Sequence, residues 1–85
     1  MSAQGEAKKR VTLVTGATRG IGRAISDKLA SQGHHIVGIA RSPADSGFPG
    51  EVFVADLRDA ESVKRALADI VARYDVTGLV NNAGL

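Results

Sequence analysis

The chain has 85 residues, of which 44% are hydrophobic and 24% are charged, and its formal net charge is +2. This composition is typical of one small globular domain and excludes an intrinsically disordered chain. The absence of cysteine excludes disulfides, cysteine-ligated metal sites and a cysteine nucleophile, so we expect a soluble cytoplasmic protein.

Residues 1–10 are polar, small and aperiodic, and we expect them to form a disordered leader. The leader ends in a basic cluster, but aromatic residues make up only 4% of the chain, too few for base-stacking platforms. We therefore expect no nucleic-acid partner. We also expect no membrane association, since no apolar run approaches the roughly 18 residues of a membrane span and no secretory signal is recognisable.

The first part of the folded region alternates strand and helix patterns. Residues 11–15 form a β-branched apolar run that predicts a strand buried on both faces. Apolar residues then follow Ile21 at helical spacing, which predicts an amphipathic helix that ends at Gly33. Residues 35–40 predict a second strand, and residues 51–55 predict a third.

A loop, a helix and a last strand complete the pattern. Residues 41–50 hold both prolines and predict a loop. Asp59 is placed as the N-cap of a second helix, with Glu61 in the favourable first turn. Apolar residues at helical spacing follow as far as Tyr74, and residues 76–81 predict the fourth strand.

Helical connections between the strands predict an α/β fold with a parallel sheet in the order 3-2-1-4 and one helix on each face. Ligands of such sheets bind at the carboxyl ends of the strands, near the switch point between the first and fourth strands. One helix is too narrow to cover a face of four strands. We therefore expect residues 11–85 to be the N-terminal part of a larger domain.

The strongest motif is TGATRGIG at residues 15–22, directly after a strand and at the start of a helix. Gly16 lets the backbone turn sharply, Gly20 allows close approach of a phosphate, and Gly22 permits tight packing of the helix on the sheet. Free N–H groups and the helix dipole would then face an anion. The motif predicts a phosphate-binding loop, with a plain tight turn as the alternative. The missing Gly-Lys-Ser/Thr excludes a P-loop NTPase.

This loop resembles the coenzyme motif of the short-chain dehydrogenase/reductase family. Residues 81–84 (NNAG) are similar to a second family motif, and Asp56-Leu57 after the third strand resembles the family's adenine-contacting pair. TGATRGIG is especially similar to the 3-oxoacyl-carrier-protein reductase branch. The resemblance implies a Rossmann-type doubly wound sheet, of which this chain would form the first half. It also implies a small-molecule carbonyl or alcohol substrate and a homo-oligomer, either a dimer or a tetramer.

The resemblance also implies which residues bind the coenzyme. The glycine loop would surround the pyrophosphate, Asp56 would accept a hydrogen bond from the adenine amino group, and Asn82 would line the nicotinamide ribose. The alternative for Asp56 is that it only caps the following turn, and the alternative for residues 81–84 is an ordinary exit from the fourth strand. Asn81 would tie that strand to its neighbours. The implied coenzyme-binding residues are Thr15, Gly16, Thr18, Arg19, Gly20, Ile21, Gly22, Arg41, Ser42, Asp56, Leu57, Asn82, Ala83 and Gly84.

Charge at the end of the second strand bears on the choice of coenzyme. An acidic residue about 20 positions past the glycines would hold the 2′-hydroxyl of NAD. Arg41 stands there instead, with Ser42 beside it and Arg19 in the glycine loop. Arginine can bind a 2′-phosphate through two hydrogen bonds. The sequence therefore favours NADP(H) over NAD(H).

No catalytic residue is assigned within the chain. The family's catalytic Tyr-x-x-x-Lys pair does not occur, since Tyr74, the only tyrosine, is followed four residues later by Gly78. Tyr74 is expected to pack at the end of the second helix. The adjacent His34 and His35 would point to opposite sides of a strand, so no metal site is expected.

Two function classes therefore stay open. In the first, the chain is the coenzyme-binding half of an NADP(H)-dependent reductase that transfers hydride between nicotinamide and a carbonyl or secondary alcohol. In the second, it is a non-catalytic nucleotide-binding or interaction fragment. An epimerase or lyase of the same superfamily is a further alternative.

Overall fold

The computed structural model describes residues 8–43 and 45–82. The described residues form a parallel sheet in the order β3-β2-β1-β4, which confirms the predicted topology. In chain order the elements are β1 (Lys9–Thr15), α1 (Gly20–Ser31), β2 (Ile36–Ala40), β3 (Gly50–Val54), α2 (Ala60–Arg73) and β4 (Tyr74–Asn81).

The two helices lie on opposite faces of the sheet, each over its own apolar core. Successive side chains of a strand point to opposite faces, so β1 contributes to both cores. The α2 core contains Val11, Leu13, Val37, Ile39, Ala55, Ala66 and Ile70. The α1 core contains Val14, Ala17, Ile36 and Phe48, with Leu29 and Ala30 of the helix packed against it. This arrangement matches the expected crossovers.

The helix α1 ends as the sequence predicts. The N–H of Gly33 donates to the carbonyl of Ala30 at 3.0 Å, and the N–H of His34 donates to the carbonyl of Leu29 at 3.1 Å. These two hydrogen bonds form the pattern of a Schellman motif, which satisfies carbonyls of the last helical turn.

The start of α2 also agrees with the prediction. The Asp59 carboxylate accepts hydrogen bonds from the N–H groups of Glu61 at 3.1 Å and Ser62 at 3.5 Å. The helix then runs directly into β4, with Tyr74 as both the C-cap and the first strand residue. The expectation that Tyr74 belongs to the helix is therefore wrong, although its ring does pack against the α2 core.

Three strands begin earlier than predicted, β3 by one residue and β1 and β4 by two, whereas β2 begins one residue later. β4 begins at Tyr74 and β1 at Lys9, because Lys9 pairs with Tyr74 and Arg10 pairs with Asp75. The pairing places Lys9 and Arg10 in the sheet and corrects the expectation of a disordered leader as far as residue 10. The Tyr74 hydroxyl donates to the carboxylate of Glu51 in β3, which further fixes the start of β4. Residues 1–7 lie outside the described residues.

The segment between β2 and β3 is a loop, as predicted, and Arg23 of α1 holds it. Arg23 Nη1 donates to both carboxylate oxygens of Asp45 at 3.2 Å, and its guanidinium lies 5.6 Å from the centroid of the Phe48 ring. Phe48 is only 9% exposed. The loop thus supplies an aromatic side chain to the α1 core.

Parts of both sheet faces and of α2 remain exposed to solvent. Leu79 in β4 is 65% exposed and Val54 in β3 is 54% exposed, and the side chains of β4 alternate between half-buried and exposed. This exposure agrees with the expectation that one helix per face covers only part of a sheet of four strands.

Candidate functional site

A cavity of about 690 Å³ opens at the carboxyl ends of β1, β2 and β3. Parallel strands bring their following loops to this edge, which is where ligands of open α/β sheets bind. The lining residues are Gly16, Thr18, Arg19, Ile39, Ala40, Arg41, Ser42, Ala55, Asp56, Leu57 and Arg58. Seven of the fourteen sequence-predicted site residues are therefore among them: Gly16, Thr18, Arg19, Arg41, Ser42, Asp56 and Leu57.

The glycine loop between β1 and α1 has a geometry that other residues cannot adopt without strain. Gly16 has φ 65° and Gly20 has φ 54°, in the left-handed region that glycine tolerates best. A Cβ on Gly22 would lie 2.0 Å from the carbonyl oxygen of Gly16. The turn and the close packing of α1 on the sheet therefore both depend on glycine, as the motif predicts.

The N-terminus of α1 is open to an anion. Its N-cap, Arg19, makes no side-chain capping hydrogen bond within the described residues, and the first turn carries no acidic residue. The α2 N-terminus differs, because Asp59 caps it and Glu61 lies in its first turn. Unpaired N–H groups and the positive end of a helix dipole together favour a bound phosphate. The first turn of α1 thus fits the pyrophosphate of a dinucleotide.

The ends of β1 and β4 are joined by side chains of the two family motifs. The Thr15 hydroxyl donates to Asn81 Oδ1 at 3.1 Å and accepts from the N–H of Asn82 at 3.0 Å. Asn82 Nδ2 also donates to the carbonyl of Gly16 at 3.5 Å. These contacts bring the exit of β4 against the glycine loop. Ala83 and Gly84, which were also predicted to bind coenzyme, lie outside the described residues.

The predicted phosphate-binding arginines line one cavity. Arg19 comes from the glycine loop, whereas Arg41 and Ser42 follow β2, and all three side chains are exposed. Ile21 from the same loop is 71% exposed and is not among the residues that line this cavity in the described part of the chain. Arg19 and Arg41 therefore bring two guanidinium groups from separate elements to the cavity, in addition to Arg58, which is paired with Asp56.

Asp56 after β3 is held by an arginine that sequence reasoning missed. Arg58 donates to Asp56 Oδ1 through its backbone N–H at 2.9 Å and through Nε at 3.1 Å, and to Oδ2 through Nη2 at 3.0 Å. Hydrogen bonds from the Arg58 side chain and backbone, together with the charges of Arg58 and Arg41, lower the pKa of Asp56 to about 2. The carboxylate therefore stays ionised near neutral pH.

The signal for this pair was present in the sequence. An aspartate that accepts from the N–H two residues later forms an Asx turn, and Arg58 stands at that position. The turn-capping alternative for Asp56 is thus realised in the structure. It does not exclude a further hydrogen bond, since the Asp56 side chain is 37% exposed.

Other site types find no support in residues 8–43 and 45–82. No group of three or more histidine, cysteine or acidic side chains in this part of the chain could hold a metal ion. His34 Nδ1 instead lies 3.3 Å from the hydroxyl of Thr12. Neither described helix is long and apolar enough to cross a membrane.

Comparison with known proteins agrees with this geometry. A family model described as short chain dehydrogenase matches residues 10–85. Among curated proteins, the chain is 39% identical over 84 residues to the 3-oxoacyl-(acyl-carrier-protein) reductase FabG of Haemophilus influenzae, covering 89% of this chain and 35% of that protein. It is 34% identical over 79 residues to the 3-ketodihydrosphingosine reductase of Bacteroides thetaiotaomicron, covering 89% of this chain and 29% of that protein.

A solved structure is also similar. The crystal structure of a metagenomic short-chain oxidoreductase in complex with NADP superposes with a TM-score of 0.71 at 33% sequence identity. The match covers 93% of this chain and 41% of that chain. The present chain spans about a third of the length of the curated relatives described above.

Proposed function

The chain belongs to the short-chain dehydrogenase family, and from this premise we propose that it forms the coenzyme-binding part of an NADP(H)-dependent oxidoreductase. The observation that carries the proposal is the N-terminus of α1, which no side chain of the described residues caps and whose N-cap residue, Arg19, lines the cavity together with Arg41. A dinucleotide with an additional 2′-phosphate would present its pyrophosphate to the start of α1 and its 2′-phosphate to the two arginines. The NADP in the similar oxidoreductase structure supports the same choice.

The pyrophosphate is assigned to the glycine loop. The N–H groups of Gly20, Ile21 and Gly22 begin α1, and among the described residues no side chain caps this helix end. A phosphate there would accept hydrogen bonds from these N–H groups and would be attracted by the positive end of the helix dipole. Gly22 keeps the helix close to Gly16, so the N–H groups stay near the end of β1. Thr15 and Thr18 would support the turn.

The 2′-phosphate is assigned to the residues that follow β2. Arg41 and Ser42 leave the sheet beside Arg19, and no carboxylate stands at the position where NAD-binding folds place one. Guanidinium groups bind phosphate through two hydrogen bonds, whereas a carboxylate there would repel it. This difference in charge is the reason to propose NADP(H) rather than NAD(H).

The adenine is assigned to the cavity wall formed by Asp56 and Leu57, and the nicotinamide ribose to Asn82, Ala83 and Gly84. When bound, the nicotinamide supplies or accepts a hydride in the reduction of a carbonyl or the oxidation of a secondary alcohol. The contribution of this chain is to bind and orient the coenzyme. We further propose a small-molecule carbonyl or alcohol substrate and a homo-oligomeric protein, without a nucleic-acid partner.

A second candidate is a nucleotide-binding module without catalytic activity of its own. The observation that favours it is the absence of a Tyr-x-x-x-Lys pair from the 85 residues. The family's reduction step needs that pair for proton transfer at the carbonyl oxygen. Both candidates bind NADPH, and they differ in whether carbonyl reduction follows.

Titration of the purified chain with NADPH and with NADH, monitored by nicotinamide fluorescence, tests the proposal. We expect NADPH to bind at least about tenfold more tightly than NADH, since charge-assisted hydrogen bonds to the 2′-phosphate are lost with NADH. Competition by 2′,5′-ADP would place the 2′-phosphate in the site. Absence of NADPH binding by a folded chain would overturn the proposal. Because these 85 residues lack the catalytic pair, oxidation of NADPH with a carbonyl substrate is assayed on the full-length protein that contains them, and that activity would separate the two candidates.

A further inference from the structure

We propose that Arg58 is a positioning residue for base recognition. Its bidentate contact with Asp56 leaves one hydrogen-bond acceptor site of the carboxylate open, in a fixed direction. This site selects adenine, which is a 6-amino purine, over a 6-oxo purine. This inference rests on the proposed dinucleotide site and adds a determinant of specificity to it. Arg58 lines the same cavity as Asp56, Leu57 and Arg41.

The contacts of the carboxylate limit what it can still bind. An ionised carboxylate has about four lone-pair sites, two on each oxygen. Oδ1 accepts from the N–H of Arg58 at 2.9 Å and from Nε at 3.1 Å, while among the described residues Oδ2 accepts only from Nη2 at 3.0 Å. One site therefore remains, and it lies on Oδ2. The planar guanidinium fixes the plane of the carboxylate, so the remaining site has a defined direction.

The charge of the pair determines which group can use that site. Asp56 carries an ionised carboxylate, because it accepts hydrogen bonds from Arg58 and the charges of Arg58 and Arg41 favour the ionised form. An ionised carboxylate accepts hydrogen bonds and donates none. A 6-amino group can donate to Oδ2, whereas a 6-oxo group would bring a second acceptor against it. A site discriminates strongly against a ligand that leaves one of the polar groups of the site without a hydrogen-bond partner.

A contribution to the free energy of unfolding does not by itself account for the ion pair of Arg58 with Asp56. The Arg58 side chain is 78% exposed, and exposed ion pairs contribute little to the free energy of unfolding. The backbone hydrogen bond from Arg58 to Asp56 also needs no arginine side chain. An Arg58→Ala variant should therefore fold, while its carboxylate gains rotational freedom and two empty acceptor sites. Water can then occupy those sites, and the preference for a 6-amino donor weakens.

The test measures dissociation constants for NADPH and for its hypoxanthine analogue, in which an oxo group replaces the 6-amino group. The proteins compared are the unaltered chain, Arg58→Ala, Arg58→Lys and Arg65→Ala, the last changing an exposed arginine in the body of α2. Circular dichroism establishes that each variant is folded. We expect a preference for NADPH of about tenfold or more in the unaltered chain and in Arg65→Ala.

In Arg58→Ala we expect this preference to fall to about threefold or less, mainly through weaker binding of NADPH. Arg58→Lys keeps the charge but cannot donate to both oxygens in one plane, so its preference should lie between the two. An unchanged preference in Arg58→Ala, or an equal loss of affinity for both ligands, would overturn the inference while the dinucleotide site stands. Failure of the unaltered chain to bind either ligand would instead refute the proposed function itself.

Discussion

Gly22 approaches Gly16 so closely that a Cβ on Gly22 would lie 2.0 Å from the Gly16 carbonyl oxygen and 2.6 Å from Asn82 Nδ2. Both neighbours belong to segments that carry the proposed coenzyme site, the glycine loop and the exit of β4. Because Gly22 has no side chain, the start of α1, the end of β1 and the end of β4 can lie in contact.

Gly22→Ala should therefore abolish detectable NADPH binding, because relief of the clash moves the first turn of α1 away from the strand ends. Overpacking of this kind also costs roughly 1–3 kcal/mol of folding free energy. Gly47→Ala is the matched control, since a Cβ there meets its nearest atom, on the Arg23 side chain, at 3.4 Å. Titration with NADPH and urea unfolding measure the two effects. Normal affinity in Gly22→Ala would contradict the assignment of this loop to phosphate.

Arg41→Asp should reverse the choice of coenzyme. The substitution replaces a donor to the 2′-phosphate with a carboxylate that repels it and can accept from a 2′-hydroxyl. We expect NADPH to bind roughly ten- to a hundredfold more weakly, and NADH to bind more tightly than it does to the unaltered chain. The check is a pair of titrations at one fixed ionic strength, with the exposed Arg65→Ala as control. Equal NADPH affinity in Arg41→Asp would refute the charge argument.

Features set by local pattern were predictable from the sequence. The strand order follows from apolar runs separated by helical crossovers, and the Asp59 cap and the end of α1 at Gly33 follow from single residues with strong positional preferences. The glycine loop belongs to the same class, because its spacing is local and its geometry requires glycine. These elements appear in the structure where the sequence places them.

Features set by tertiary contacts were not predictable. Tyr74 continues the helical period of α2, yet it begins β4 because its backbone pairs with Lys9 and its hydroxyl binds Glu51 of a distant strand. Those two partners lie far from Tyr74 in the sequence, so the local pattern does not show them. The Arg58–Asp56 contact differs, because its two residues are only two positions apart and form a local Asx turn that the sequence could have indicated.

Removal of the α2 cap should destabilise the fold without altering the site. Asp59→Ala deletes the acceptor of the hydrogen bonds from the Glu61 and Ser62 N–H groups. Loss of such a cap costs about 0.5–2 kcal/mol. Urea unfolding should therefore show a lower midpoint with an unchanged slope, whereas Asp69→Ala, in the exposed middle of α2, should leave the midpoint nearly unchanged. Equal midpoints for the two variants would contradict the capping role.

Arg23→Ala should loosen the loop between β2 and β3. The guanidinium joins Asp27 of α1 to Asp45 of the loop and covers the Phe48 ring. Its loss removes the ion pair with Asp45 and the contact with the Phe48 ring, so we expect faster amide hydrogen exchange in residues 45–49. Exchange in β1 should change little. The exposed Arg65→Ala is the control, and unaltered exchange of the loop in Arg23→Ala would show that Phe48 burial alone holds it.

Acid should weaken the turn after β3 through Asp56. Hydrogen bonds from Arg58 lower the folded-state pKa to about 2 from the ordinary value of 3.8, so the unfolded chain takes up a proton first as the pH falls. The contribution of this carboxylate to stability is therefore complete above about pH 4 and is lost as the pH falls toward 2. Asp56→Asn should flatten the dependence of the urea midpoint on pH in that window. A dependence as steep in Asp56→Asn as in the unaltered chain would show that the Arg58 contacts do not bias this ionisation.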